Sequence, residues 1–241
     1  MLADGRERGV GVAIGTGGCL ELHIAGLRLA LHEPAGVLEE LEIVYRDFAA
    51  RAEAHASNPS NPHLCFAGCS HCCRSGAFFA VTLVEALRWA QAVARLPDPL
   101  RARVRGEAQR LLSLYQHVLE DSGDESDEPG RRDERRFRRL VARVARAGPA
   151  CPQLDGDLCS VYQDRPFLCR AYGYPVDAYA VEDQASITFH SLCRLYDGKQ
   201  LQEYVEARDL RARLAELSRR LAGGADTGRF TSAEAILARV E

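Results

Sequence analysis

The chain has no excess of one charge. Its 31 Lys and Arg against 34 Asp and Glu leave a net charge of −3 over 241 residues. No global basic field therefore recruits nucleic acid or an anionic membrane, and neither is expected as a partner. Long hydrophobic runs are also missing. The most apolar segment, residues 77–96, is interrupted by Glu85, Arg88 and Arg95, too polar for the roughly 20 apolar residues of a membrane span. Residues 1–8 carry alternating charge where a secretory signal would need an apolar block. These absences predict a cytoplasmic location. Only one Met and one Trp are present, but cysteine occurs nine times. In a reducing compartment such an array points to metal or redox chemistry, and the odd count argues against simple disulfide pairing. The hydrophobic fraction of 46% and charged fraction of 27% exclude a wholly disordered chain. The length gives one large domain or two small ones.

Leu20, Leu22 and Ile24, then Leu27, Leu29 and Leu31, alternate on either side of Ala25-Gly26, which predicts a β-hairpin. Helical spacing follows in residues 37–56, through Leu38, Leu41, Val44, Tyr45 and Phe48. Thr82 with Glu85 forms a capping box at the head of a helix over about 81–96. Asp98-Pro99 starts another over 100–119. The segment 120–130 has six acids and no base and reads as a mobile acidic loop. Residues 131–146 carry eight Arg, with Phe137, Leu140, Val141 and Val144 on one helical face. Terminal helices are expected over 201–221 and 231–240, the second opened by a Thr231/Glu234 capping box. No internal repeat is present. The predicted fold is mainly α, a helical domain (36–241) around an irregular cysteine-rich metal-binding core, preceded by an N-terminal β-hairpin extension (1–35).

Eight cysteines fall into two groups, Cys65-x3-Cys69-x2-Cys72-Cys73 and, some 80 residues later, Cys151-x7-Cys159-x9-Cys169 followed by Cys193. Thiolates are soft, strongly donating ligands, and short spacings let one loop wrap several of them around a centre. All eight are candidate metal ligands. The alternative is that they are small buried hydrophobes, which suits lone Cys19 better than four cysteines within nine positions. Successive side chains of extended backbone point to opposite sides, so Cys72 and Cys73 are expected to face different centres, or one of them to be spare. Cys69-x2-Cys72 is half of a zinc knuckle without its second Cys-x2-Cys. The wider spacings suit a larger cluster or ligands gathered from several loops. An iron–sulfur cluster is favoured slightly over Zn2+. Because metal bonds formed only in the folded state offset the entropy of closing the long loop, metal loading is expected to couple to folding.

The string Cys65-Phe-Ala-Gly-Cys69-Ser-His-Cys72-Cys73-Arg74, with Cys151-Pro-Gln-Leu-Asp-Gly-Asp-Leu-Cys159 and Arg165-Pro166-Phe-Leu-Cys169-Arg170, resembles the YkgJ-type cysteine-cluster family over about residues 65–193. The resemblance implies a zinc- or iron-chelating module. The flagellin lysine N-methylases contain a similar cluster, so it also admits a cluster-containing protein methyltransferase. Family members often have two residues between the first two cysteines, where this chain has three.

Arg165 and Arg170 bracket Cys169 and are candidates to offset the negative charge of a thiolate centre. His71 is expected to hydrogen-bond to sulfur more readily than to ligate. Tyr162, Tyr172 and Tyr174 read as core filling. Several functions remain open. One is an iron–sulfur redox or protein-modifying enzyme, with a protein partner or substrate. A second is a zinc-stabilised structural module or a metal carrier without catalysis. The third is a radical S-adenosylmethionine-like enzyme, whose Cys-x3-Cys-x2-Cys spacing is present but whose strand–helix alternation is not.

Overall fold

Helix α1 (Pro34–Ala56) turns Val37, Leu41, Val44, Tyr45, Phe48 and Ala52 inward at the expected spacing. In this computed structural model the described residues are 20–61, 66, 68–74, 80–121, 137, 140, 143–144, 146–176, 193 and 203–241. The elements after α1 are α2 (His71–Arg74), α3 (Leu83–Ala94), α4 (Asp98–Asp121), α5 (Phe167–Ala171), α6 (Arg208–Leu221) and α7 (Ser232–Leu237). The strands are β1 (Glu21–Ile24), β2 (Leu27–Ala30), β3 (Ala80–Val81), β4 (Leu154–Asp155), β5 (Leu158–Cys159), β6 (Phe230–Thr231) and β7 (Arg239–Val240). The fold is mainly α-helical with a strand pair near its N-terminal end. No helix among the described residues is long and apolar enough to cross a membrane.

Helix α3 is the axis of the structure. It packs against α1, α6 and α7, and nine of its twelve residues are buried; a helix apolar nearly all round belongs in a core. Its capping box forms as expected: Glu85 Oε2 accepts the Thr82 N–H at 2.9 Å and the Thr82 hydroxyl at 2.7 Å. The Thr231/Glu234 box forms too, with Thr231 N–H donating to Glu234 and Glu234 N–H to Thr231 Oγ1. Both boxes sit on short strands that pair with each other, β3 with β6, which ties the heads of α3 and α7 together.

The β1–β2 hairpin turns at Ala25-Gly26 with φ of 53° and 80°, positive at both positions as a type I′ turn requires. Strand β1 also pairs with β7, Leu22 opposite Val240, and Leu22 and Ile24 join the core formed by the helices. That pairing shortens the last helix, expected to run to Val240 but ending at Leu237, because Arg239 and Val240 serve β1. The helix expected from Leu201 starts at Arg208. Just before it Val205 makes a parallel bridge with Val176, and its N–H donates to Pro175 O at 2.7 Å. In the arginine-rich segment Phe137, Leu140 and Val144 are helical and buried. Cys19 and most of the acidic loop lie outside the described residues.

Candidate metal centre

Helix α2 is one turn, His71-Cys72-Cys73-Arg74, entered through a turn in which Cys69 N–H donates to Phe66 O at 3.0 Å. Helical backbone changes what adjacent cysteines can do. The Cys72 and Cys73 sulfurs lie 3.9 Å apart and line one cavity, against the expectation from extended backbone that they would face different centres. That separation is close to the edge of a tetrahedral zinc–thiolate site, about 3.8 Å for Zn–S bonds near 2.3 Å.

The second cysteine group reaches the first through the main chain. Cys151 N–H donates to Cys73 O at 2.7 Å, and Cys151 packs with Cys73, Leu168, Cys169 and Tyr172 in a small apolar cluster separate from the main core. Cys159 is the last residue of a tight hairpin, β4–β5, in which Leu154 pairs with Cys159 and Asp155 with Leu158. Gly156 takes φ 60° in its two-residue turn, a conformation that costs glycine little. A polar latch joins this turn to α2: Arg74 donates to Gly156 O at 2.9 Å and to Asp157 at 2.6 Å, and Ser70 donates to Asp157 at 2.9 Å. Arg74 and Ser70 together hold the Asp157 carboxyl below the usual carboxylate range. From the other side Arg103 on α4 donates to Leu154 O at 3.1 Å.

Cys169 is carried by α5. Phe167 at its start packs edge-on against Phe48 of α1, with ring centroids 4.9 Å apart, and Phe167 N–H donates to Glu85 Oε1 at 2.7 Å. The preceding 3-10 turn, Tyr162–Asp164, is tied to α3 through Asp164, which forms an ion pair with Arg88 at 2.6 Å and accepts a hydrogen bond from Arg95 at 3.2 Å.

Seven cysteines, Cys69, Cys72, Cys73, Cys151, Cys159, Cys169 and Cys193, line one cavity of about 470 Å³, and none of the seven is in a disulfide. Cys65 lies outside the described residues. Among the described residues no three His, Cys, Asp or Glu side chains converge tightly enough to hold an ion in common; the sulfurs surround a space instead of a point. Arg165 and Arg170 line the same cavity. The Arg165 guanidinium lies 3.6 Å over the Tyr162 ring and donates to Tyr162 O, while Arg170 lies 4.1 Å over Tyr45 and donates to Arg165 O at 2.8 Å. His71 Nε2 is buried without a hydrogen-bond partner among the described residues.

The sulfurs raise one another's proton affinity. Burial pushes the Cys169 thiol well above its usual value, and Cys159, Cys73 and Cys72 add to this. A contact with Cys151 pushes Cys73 up to about 12, and a contact with Cys73 drives Cys72 upward. Burial raises Cys159. Arg165 opposes the rise at Cys72, Cys159 and Cys169. Without a cation these are thiols. A metal ion inverts that logic, because thiolates ligate it and their protons leave.

The donor set fits such a group. It is soft and sulfur-rich, and Tyr45, Phe48, Trp89, Tyr172 and Tyr174 line the same cavity. Tyr45 Oη, Trp89 Nε1 and Gln153 Nε2, all on cavity-lining residues, are buried without a hydrogen-bond partner among the described residues. Buried donors rarely stay unpaired, and the sulfurs of a thiolate centre are hydrogen-bond acceptors. Sequence reasoning missed these donors, which sit in ordinary helical and loop contexts. It also missed the β4–β5 hairpin, although Asp155-Gly156 between Leu154 and Leu158 is a turn signal.

A family model, CxxCxxCC, described as "Putative zinc- or iron-chelating domain", matches residues 64–194, just over half of the chain. No curated protein and no solved structure gives a match.

Proposed function

The chain belongs to the CxxCxxCC family, and from that premise we propose that its two cysteine groups together hold one polynuclear centre, an iron–sulfur cluster. The observation that carries this reading is the number of thiols on one cavity. Seven cysteines share it, and a mononuclear tetrahedral site uses four. The donors of Tyr45, Trp89 and Gln153, without partners among the described residues, fit a sulfur-ligated centre whose sulfurs accept hydrogen bonds.

An iron–sulfur cluster supplies one-electron transfer when bound. The chain's own residues set the conditions for it. Aromatic rings supply part of the cavity's lining, Arg165 offsets negative charge, and the Arg74–Asp157–Ser70 latch holds α2 against the β4–β5 turn. Solvent exclusion and hydrogen bonds to sulfur are the levers by which a protein sets a cluster's potential.

A zinc reading has one observation in its favour, the 3.9 Å separation of the Cys72 and Cys73 sulfurs. The two readings part in a single experiment. Anaerobically purified protein with visible absorption, and with iron and acid-labile sulfide in comparable amounts per chain, supports the cluster. Colourless protein carrying stoichiometric zinc overturns it in favour of the second reading. Protein with neither metal overturns both.

A further inference from the structure

Resting on the reading that the cysteines hold a metal, we propose that Glu85 is a positioning residue for that centre, its carboxylate fixing the Cys169 segment without coordinating the metal itself. In the sequence Glu85 reads only as one half of a helix cap. In the structure the cap uses one oxygen. Oε2 takes both Thr82 donors, and Oε1 accepts the N–H of Phe167, 82 positions away, at 2.7 Å.

The first N–H groups of a helix have no partner within it, and α5 is only five residues long. Glu85 supplies that partner from α3. It is 4% exposed, so its orientation is set by the core, and that orientation passes directly to the residue two positions before Cys169. The Phe48 ring on α1 is the second anchor, against Phe167. Cys169 then packs beside Cys151, Leu168 and Tyr172, where the two cysteine groups meet. A role as ligand conflicts with the geometry, since both carboxylate oxygens already accept from N–H or O–H donors. A role as cap alone leaves the Oε1 bond to Phe167 without a purpose.

The test compares full-length wild type, Glu85→Gln and Thr82→Val, each purified anaerobically. The readouts are metal per chain, the rate of metal loss to excess EDTA, the absorption spectrum of the loaded form, and the far-ultraviolet circular dichroism of the metal-free form. Glu85→Gln places an amide donor against N–H or O–H donors on one of its two sides. It is expected to keep its helical signal while losing metal about tenfold faster or more, the usual effect of removing a partner behind a metal ligand, with a shifted sulfur-to-metal absorption band. Thr82→Val removes a cap bond but spares the Oε1 bond to Phe167. It is expected to melt earlier without metal and to release metal at the wild-type rate. If Glu85→Gln does not fold, Glu85→Asp makes the same comparison, since it keeps the charge but is one methylene short of Phe167. Wild-type release rates in the Glu85 variants, or equal acceleration in Thr82→Val, overturn this inference alone. A wild type that carries no metal overturns the underlying reading and this inference with it.

Discussion

Helix α3 buries nine of its twelve residues, whereas the cysteine-bearing turn α2 buries none and neither strand of the β4–β5 hairpin has a fully buried residue. The two regions of one chain are thus held by different forces. The helical body closes on an apolar core running from Leu22 through Trp89 to Ile236. The cysteine region reaches that core only through Val161, Phe167 and Ala171 among its buried residues at 151–171, and is otherwise joined to the body by polar links: Glu85 to Phe167, Arg88 and Arg95 to Asp164, and Arg103 to Leu154. Its own contribution is the small cluster around Cys151. A body stabilised by extensive buried area tolerates an empty metal site, but a region with a few core residues, polar links and sulfur does not keep its shape as well without metal. The body should therefore fold with or without metal, and the cysteine region should gain most from loading.

The comparison breaks most sharply in the core. Leu87→Ala, at a fully buried position of α3, should cost about 2–5 kcal/mol in both metal-free and loaded protein by denaturant unfolding. A loss confined to the loaded form would show that metal, and not packing, organises α3. Next come the ligands. Cys159→Ser and Cys169→Ser should each abolish metal binding and erase the stabilisation that metal confers, about 2.7 kcal/mol where free metal stands at a hundred times its dissociation constant. Cys19→Ser should do neither. Full metal content with unchanged melting in both variants would detach the second cysteine group from the centre.

Smaller effects sharpen the picture. Asp157→Asn should loosen the latch to Arg74 and Ser70 and speed metal loss modestly, while the melting of the metal-free form stays put; a fall in metal-free melting instead would place the latch in the body's stability. The smallest concerns pH. Arg51, bonded to Asp209 at 2.7 and 2.8 Å, holds the Asp209 carboxyl below its usual value. A carboxyl with a lowered folded-state value stabilises fully above the unfolded value of about 3.9, and that contribution disappears as pH falls through the lower folded value. Arg51→Gln should therefore reduce melting near neutrality and flatten its acid dependence, an effect muted by solvent at this exposed pair.

Periodicity made the body legible in the sequence. The apolar stripe of α1 and both capping boxes have simple local signatures, and the structure places them within a few residues of their expected positions. Strand β7 had no such signature, because two residues carry no period and their role depends on β1, more than 200 positions away. The convergence of the two cysteine groups was legible as chemistry, since thiol spacing signals ligation without reference to the fold. The arrangement of Cys72 and Cys73 was not, because it turns on whether one short stretch is extended or helical. Glu85 shows the same limit. Its cap lies within four residues and could be read, while its bond to Phe167 crosses 82 positions and exists only in three dimensions.

The main-chain bond from Cys151 to Cys73 bears on how this chain can diverge. It closes a long ring of chain that carries α3 and α4, so the two cysteine groups are joined both through that helical pair and directly across the bond. Closing a ring twice as long adds only about 0.6 kcal/mol of entropy. Within that ring Glu85 and Trp89 of α3 face the cysteine region, and Phe137, Leu140 and Val144 beyond α4 are buried in the main core. Sequence change inside the ring is therefore constrained at two levels, by the core and by the cavity.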